Sequence, residues 1–156
     1  MVAALFIAVM YLGQGFAFGV YQVRIATAIY ALAYLFPFLT LPLALANATS
    51  NALFGSLGFL DIIGGFFAGI ITVGAVTLMG KYQFPKPFVI LPIILGPGLL
   101  VPLWLSILTP LTYWVLVLRI CIGQTAPAIV GCILIQALSK RKVAGQCTVK
   151  SPVSPS

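Results

Sequence analysis

The chain is 156 residues long, 62% hydrophobic and only 6% charged, with a mean hydropathy of +1.21. A soluble domain carries roughly a quarter of its residues charged, so this composition excludes a water-soluble enzyme or scaffold and identifies an integral, polytopic α-helical membrane protein. The net charge of +7 is not a nucleic-acid surface, because the Lys and Arg residues gather at the ends of apolar runs, where cations set topology.

The first apolar run, 2–18, has no basic stretch ahead of it and reads as a retained span, not a cleaved leader. Ala4 and Ala8 fall on one helical face of it and present a smooth surface to another helix. Arg24 follows, between the first span and the next. Such an arginine snorkels to the interface, pairs with Asp61 or bonds a ligand.

Two short runs come next, 25–37 and 38–52. Pro37 and Pro42 predict a break between two spans, since each removes a backbone donor and crowds the turn before it; one kinked span over 25–46 is the alternative. Asn51 closes this stretch, its amide suited either to an interhelical hydrogen bond or to the edge of a heteroaromatic ring.

The run 59–80 opens with Asp61, the single acidic residue of the chain. A carboxylate among membrane-length segments is costly unless it is solvated, paired or used, and this one could also cap its helix. Gly64, Gly65 and Gly69 allow close packing behind it. Lys81 and Lys86 then flank a tight loop, and the run 89–108 leads to an uncharged connection over 109–114.

The last run, 111–138, carries Tyr113 and Trp114 at its start, as interfacial aromatics or as stacking partners of a flat ligand. Arg119 should point into the bundle or a water-filled cavity, and Gln124 lies deeper. Lys140, Arg141 and Lys142 end it. Residues 1–142 are thus expected to form a single transmembrane domain, and 143–156 a disordered cytoplasmic tail. Cys121, Cys132 and Cys147 show no paired spacing and the chain has no histidine, so no metal and no cofactor is expected.

Charge orients these runs. The Lys81–Lys86 loop and the 140–142 cluster are separated by two spans and share one side, which is cytoplasmic. Asp61 then starts its helix outside. A compact bundle of about six transmembrane helices has a cytoplasmic N-terminus and gathers Arg24, Asn51, Asp61, Tyr113 and Trp114 at the outer face. Without histidine, a second carboxylate, a nucleophile–base pair or a phosphate loop, the chain is not expected to be an enzyme.

The polar positions carry a resemblance. Tyr-Gln-Val-Arg-Ile at 21–25, Ala-Asn at 46–47 or the better-spaced Asn51 ahead of Leu-Gly-Phe-Leu-Asp-Ile-Ile-Gly-Gly at 57–65, and Tyr113-Trp114 preceding Ile122-Gly123 are similar to the QueT family of queuosine-precursor transporters. These are substrate-binding S components of energy-coupling factor (ECF) transporters. The resemblance implies an S-component fold and a small heterocyclic substrate held among Arg24, Asn51, Asp61, Tyr113, Trp114, Arg119 and Gln124. It also implies docking through Ala4 and Ala8 onto an ECF transmembrane coupling subunit driven by two cytoplasmic ATPases. Where the family carries acidic residues this chain has Thr27 and Gln124, which shifts the expected ligand from a cationic to a neutral or anionic relative. An ion-coupled carrier or channel, or a structural membrane subunit without ligand, are the alternative readings of the residues.

Overall fold

The computed structural model describes residues 1–17, 22–55 and 58–148. Among them every regular element is helical: α1 (Val2–Leu12), α2 (Gln14–Ala17), the 3-10 helix η1 (Ile25–Tyr34), a short 3-10 turn at Pro37–Leu39, α3 (Thr40–Phe54), α4 (Phe59–Lys81), a second 3-10 turn at Lys86–Val89, α5 (Ile90–Leu108) and α6 (Tyr113–Thr148). Three described segments are long and apolar enough to cross a bilayer, Phe59–Lys81, Lys86–Leu108 and Tyr113–Lys140. The protein is an all-α integral membrane protein.

The expected break at Pro37 is present. Phe36 is extended ahead of it, and Pro42 sits in the first turn of α3, where its missing N–H has no intrahelical partner to lose. The element before the break is not an α-helix, which the sequence did not foretell. Ten residues of 3-10 backbone rise ~20 Å against ~15 Å for α-helix. Long 3-10 runs are rare because their hydrogen bonds are poorer, and near lipid such backbone survives only inside protein. Accordingly η1 is buried along most of its length, from Ala26 to Ala31 and again at Ala33.

Its alanines keep η1 thin, so α1, α4 and α6 all pack against it. A Cβ on Gly131 of α6 would lie 2.9 Å from the Ala28 carbonyl oxygen and 3.0 Å from the Ala31 Cβ, so glycine is what lets α6 come this close. From α1, Phe6 stacks on Tyr30 with ring centroids 5.4 Å apart. The remaining helices pack α3 on α4, α4 on α5 and α5 on α6.

Polarity is arranged inside out. Phe67, Ile71, Leu95, Leu103, Leu118 and Ile133 are exposed, whereas Arg24, Asn47, Asn51, Asp61, Thr72 and Gln124 are buried. An apolar exterior suits lipid, and the buried polar groups must then be satisfied by one another. Beyond the last basic cluster, α6 continues as helical backbone to Thr148, through the start of the expected tail, because Lys, Arg, Ala and Gln favour helix. Residues 149–156 of that tail lie outside the described residues.

Candidate functional site

The buried polar residues collect where the start of η1, the second half of α3 and the start of α4 meet α5 and α6. Gln22 begins the cluster with a left-handed backbone, φ 44°, rare for a non-glycine residue. The turn directs its carbonyl oxygen to the Gln124 side chain, whose Nε2 donates to it at 3.1 Å. The Thr27 hydroxyl lies 2.7 Å from Gln124 Oε1 and 2.6 Å from the Arg24 carbonyl oxygen, sharing one proton between two acceptors. The two positions at which the expected family acids are replaced are therefore in direct contact.

Arg24 is 4% exposed, and its guanidinium donates to Asn47 Oδ1 at 3.3 Å. Asp61 acts on it electrostatically. Asn47 in turn donates from Nδ2 to the Gly65 carbonyl oxygen at 2.7 Å, and Asn51, one turn further along α3, donates to the Asp61 main-chain oxygen at 2.9 Å. Both amides thus tie α3 to α4. They can do so because Gly65 has no side chain: a Cβ there would run into the Asn51 amide.

Asp61 does not cap α4. Gly58, at φ +80°, occupies that position with no side-chain hydrogen bond, and Asp61 sits in the first turn. Its Oδ1 accepts from the Trp104 indole N–H at 3.1 Å, while Oδ2 has no hydrogen-bond partner among the described residues although Asp61 is 2% exposed. A carboxylate near a helix N-terminus is favoured by the dipole, which offsets part of the cost of burying it.

A cavity of about 10 Å³, space for about one water, is enclosed by Arg24, Thr27, Tyr30, Asn47, Gly69 and Pro97 among others. The cluster is otherwise packed shut. Of the residues expected at the site, Arg24, Asn51, Asp61 and Gln124 come together. Tyr113 and Arg119 are half-buried outside it, Tyr113 donating its hydroxyl to the Leu99 carbonyl oxygen, and Trp114 is 69% exposed beside Tyr113. Ala4 and Ala8 lie exposed on α1.

Trp104 joins the cluster without having been expected at it, and so do Gln22 and Asn47, which the resemblance included in its motifs, Asn47 as the alternative to Asn51, but not among the site residues. For Asn47 a signal existed, its i, i+4 spacing to Asn51 on one helix face. Trp104, in an apolar run, gave none.

Across residues 1–140 the chain matches the family model described as QueT transporter. No curated protein and no solved structure matches it significantly.

Proposed function

The chain belongs to the QueT transporter family, and is therefore a membrane transporter protein; on that premise we propose that it is the substrate-capture subunit of an ECF-type uptake system for a queuosine precursor or a related 7-deazapurine. The observation that carries this reading is the buried convergence of Arg24 at the start of η1, Asn51 of α3, Asp61 of α4 and Gln124 of α6. Membrane proteins retain such groups at substrate sites, because burial is too costly for mere packing. Amides and one carboxylate match the donor and acceptor edges of a heterocycle.

The substrate in this reading is neutral or anionic. Thr27 and Gln124 form an uncharged pair, and the Asp61 carboxylate already shares the cluster with the Arg24 guanidinium, so a cationic group would meet one carboxylate and one opposing cation. The water-sized cavity must widen for a heterocycle to enter, by separation of η1 from α3 and α4. Tyr113, Trp114 and Arg119 are not needed. Capture occurs at the outer end, Ala4 and Ala8 form the docking face for the coupling subunit, and partner ATPases supply the energy.

Thermal unfolding of the purified protein with a panel of neutral and cationic deazapurines, purines and unrelated vitamins tests the reading. A ligand at a hundred times its dissociation constant stabilises the folded state by about 2.7 kcal/mol. A selective shift with neutral deazapurines is expected. A shift with an unrelated vitamin alone overturns the substrate, and no shift across the panel overturns capture.

A further inference from the structure

The two carboxylate oxygens of Asp61 are treated differently. Oδ1 is taken by the Trp104 indole N–H at 3.1 Å, whereas Oδ2 is buried without a partner among the described residues. Asn51 is divided in the same way. Its Nδ2 donates to the Asp61 main-chain oxygen, and its Oδ1 is buried without a partner among the described residues. In both residues the buried atom without a partner among the described residues is an acceptor. A buried acceptor with no donor costs about 1–3 kcal/mol, so two of them from adjacent helix ends are an expensive arrangement unless a donor-bearing ligand meets them.

What keeps the arrangement in place is Trp104. Its indole covers Gly64, where a Cβ would lie 2.6 Å from both Cδ2 and Cε2 and 2.8 Å from Cε3; near-equal distances to three ring atoms mean that the ring face lies over the glycine. Any larger residue at 64 displaces the ring and the N–H with it. The indole N–H cannot be turned to another acceptor without lifting the ring off Gly64. It also carries no charge, so it orients the carboxylate without neutralising it.

We propose that Trp104, seated on Gly64, is a positioning residue: it occupies Asp61 Oδ1, fixes the rotation of the carboxylate and so holds Oδ2, together with the Asn51 amide oxygen, ready to accept from ligand N–H groups. This rests on the capture-site reading of the cluster. Trp104 itself does not touch the ligand. Its effect is on which ligand edge is preferred, not on whether the pocket exists.

The test uses the full-length protein in lipid nanodiscs and two probes, 7-deazaguanine and 7-deazahypoxanthine, which differ by one exocyclic amine. Wild-type protein and Trp114→Phe should prefer the amine-bearing probe. Trp104→Phe retains an aromatic ring but no N–H, and should lower that preference by about tenfold while the protein still unfolds cooperatively. An unchanged ratio in Trp104→Phe overturns the proposal and leaves the capture site standing, whereas wild-type protein that binds neither probe overturns the proposal together with the deazapurine reading on which it rests. Should Trp104→Phe fail to fold, hydrogen exchange of the two indole N–H groups in ¹⁵N-labelled wild-type protein decides. Slow exchange at Trp104, slowed further by the amine-bearing probe, supports the role; exchange as fast as at Trp114 refutes it.

Discussion

Asn47 and Asn51 carry the same amide on the same helix face and have different tasks. Asn47 is satisfied at both ends, by Arg24 and by the Gly65 carbonyl, so it is structural. Asn47→Ala should lower the stability of the ligand-free protein by about 1–3 kcal/mol, measured as a fall in melting temperature, because it removes two buried hydrogen bonds, one of them to a charged group. Asn51 keeps an acceptor with no partner among the described residues. Asn51→Ala should weaken deazapurine binding at least about tenfold, read by calorimetry on protein that remains folded; wild-type affinity would place the ligand elsewhere. At this scale the sequence was informative where chemistry was rare. A lone carboxylate in an apolar chain draws attention whatever its contacts. Trp104 could not be found that way, since a tryptophan inside an apolar run has the same pattern whether it faces lipid or a carboxylate. Trp114 stayed open for the same reason in reverse, its position at a span end fitting either a belt or a stack, and it lies exposed outside the cluster. The Thr27–Gln124 contact joins residues 97 apart, and no local pattern reports it.

Helix η1 is the element on which the bundle depends, thin enough for three helices to pack around it. Its tolerance for added volume should therefore be low. Gly131→Leu drives a side chain toward the Ala28 carbonyl and the Ala31 methyl and should cost about 1–3 kcal/mol or prevent folding. Gly15→Ala meets nothing within 4 Å and should be nearly neutral. Comparable losses from both substitutions, measured by thermal unfolding, would mean that α6 does not sit on η1. The break that frees η1 was legible, since the effect of Pro37 on its own backbone is local and does not depend on what packs nearby. The 3-10 geometry was not. A run of alanines and apolar residues is compatible with either helix, and the choice is made by burial on all sides, which supplies the contacts that offset weaker hydrogen bonds.

Over the whole molecule, the Asp61 cluster and the Lys81–Lys86 loop occupy opposite ends. Asp61 lies in the first turn of α4 and Lys81 in its last, so the helix separates them by about 30 Å, close to the thickness of a bilayer's hydrocarbon core. The lysine end is tied together across the bundle: Lys86 donates to the Ser139 hydroxyl at 2.6 Å, and Tyr34 to the Phe84 carbonyl at 2.6 Å. The ends of η1 and α6 therefore share a face with the Lys81–Lys86 loop. If that face is cytoplasmic, as the positive-inside rule requires, the cluster around Asp61 meets the outside, and a capture subunit must have it there. In a variant with Cys121, Cys132 and Cys147 replaced, Thr109→Cys should react with a membrane-impermeant maleimide added to intact cells, and Tyr82→Cys, 68% exposed at the opposite end, only after the cells are opened. The reverse pattern would turn the cluster toward the cytoplasm. Uptake by capture from outside would then be excluded whatever ligand the protein binds, because no substrate could reach Asp61 before it had already crossed.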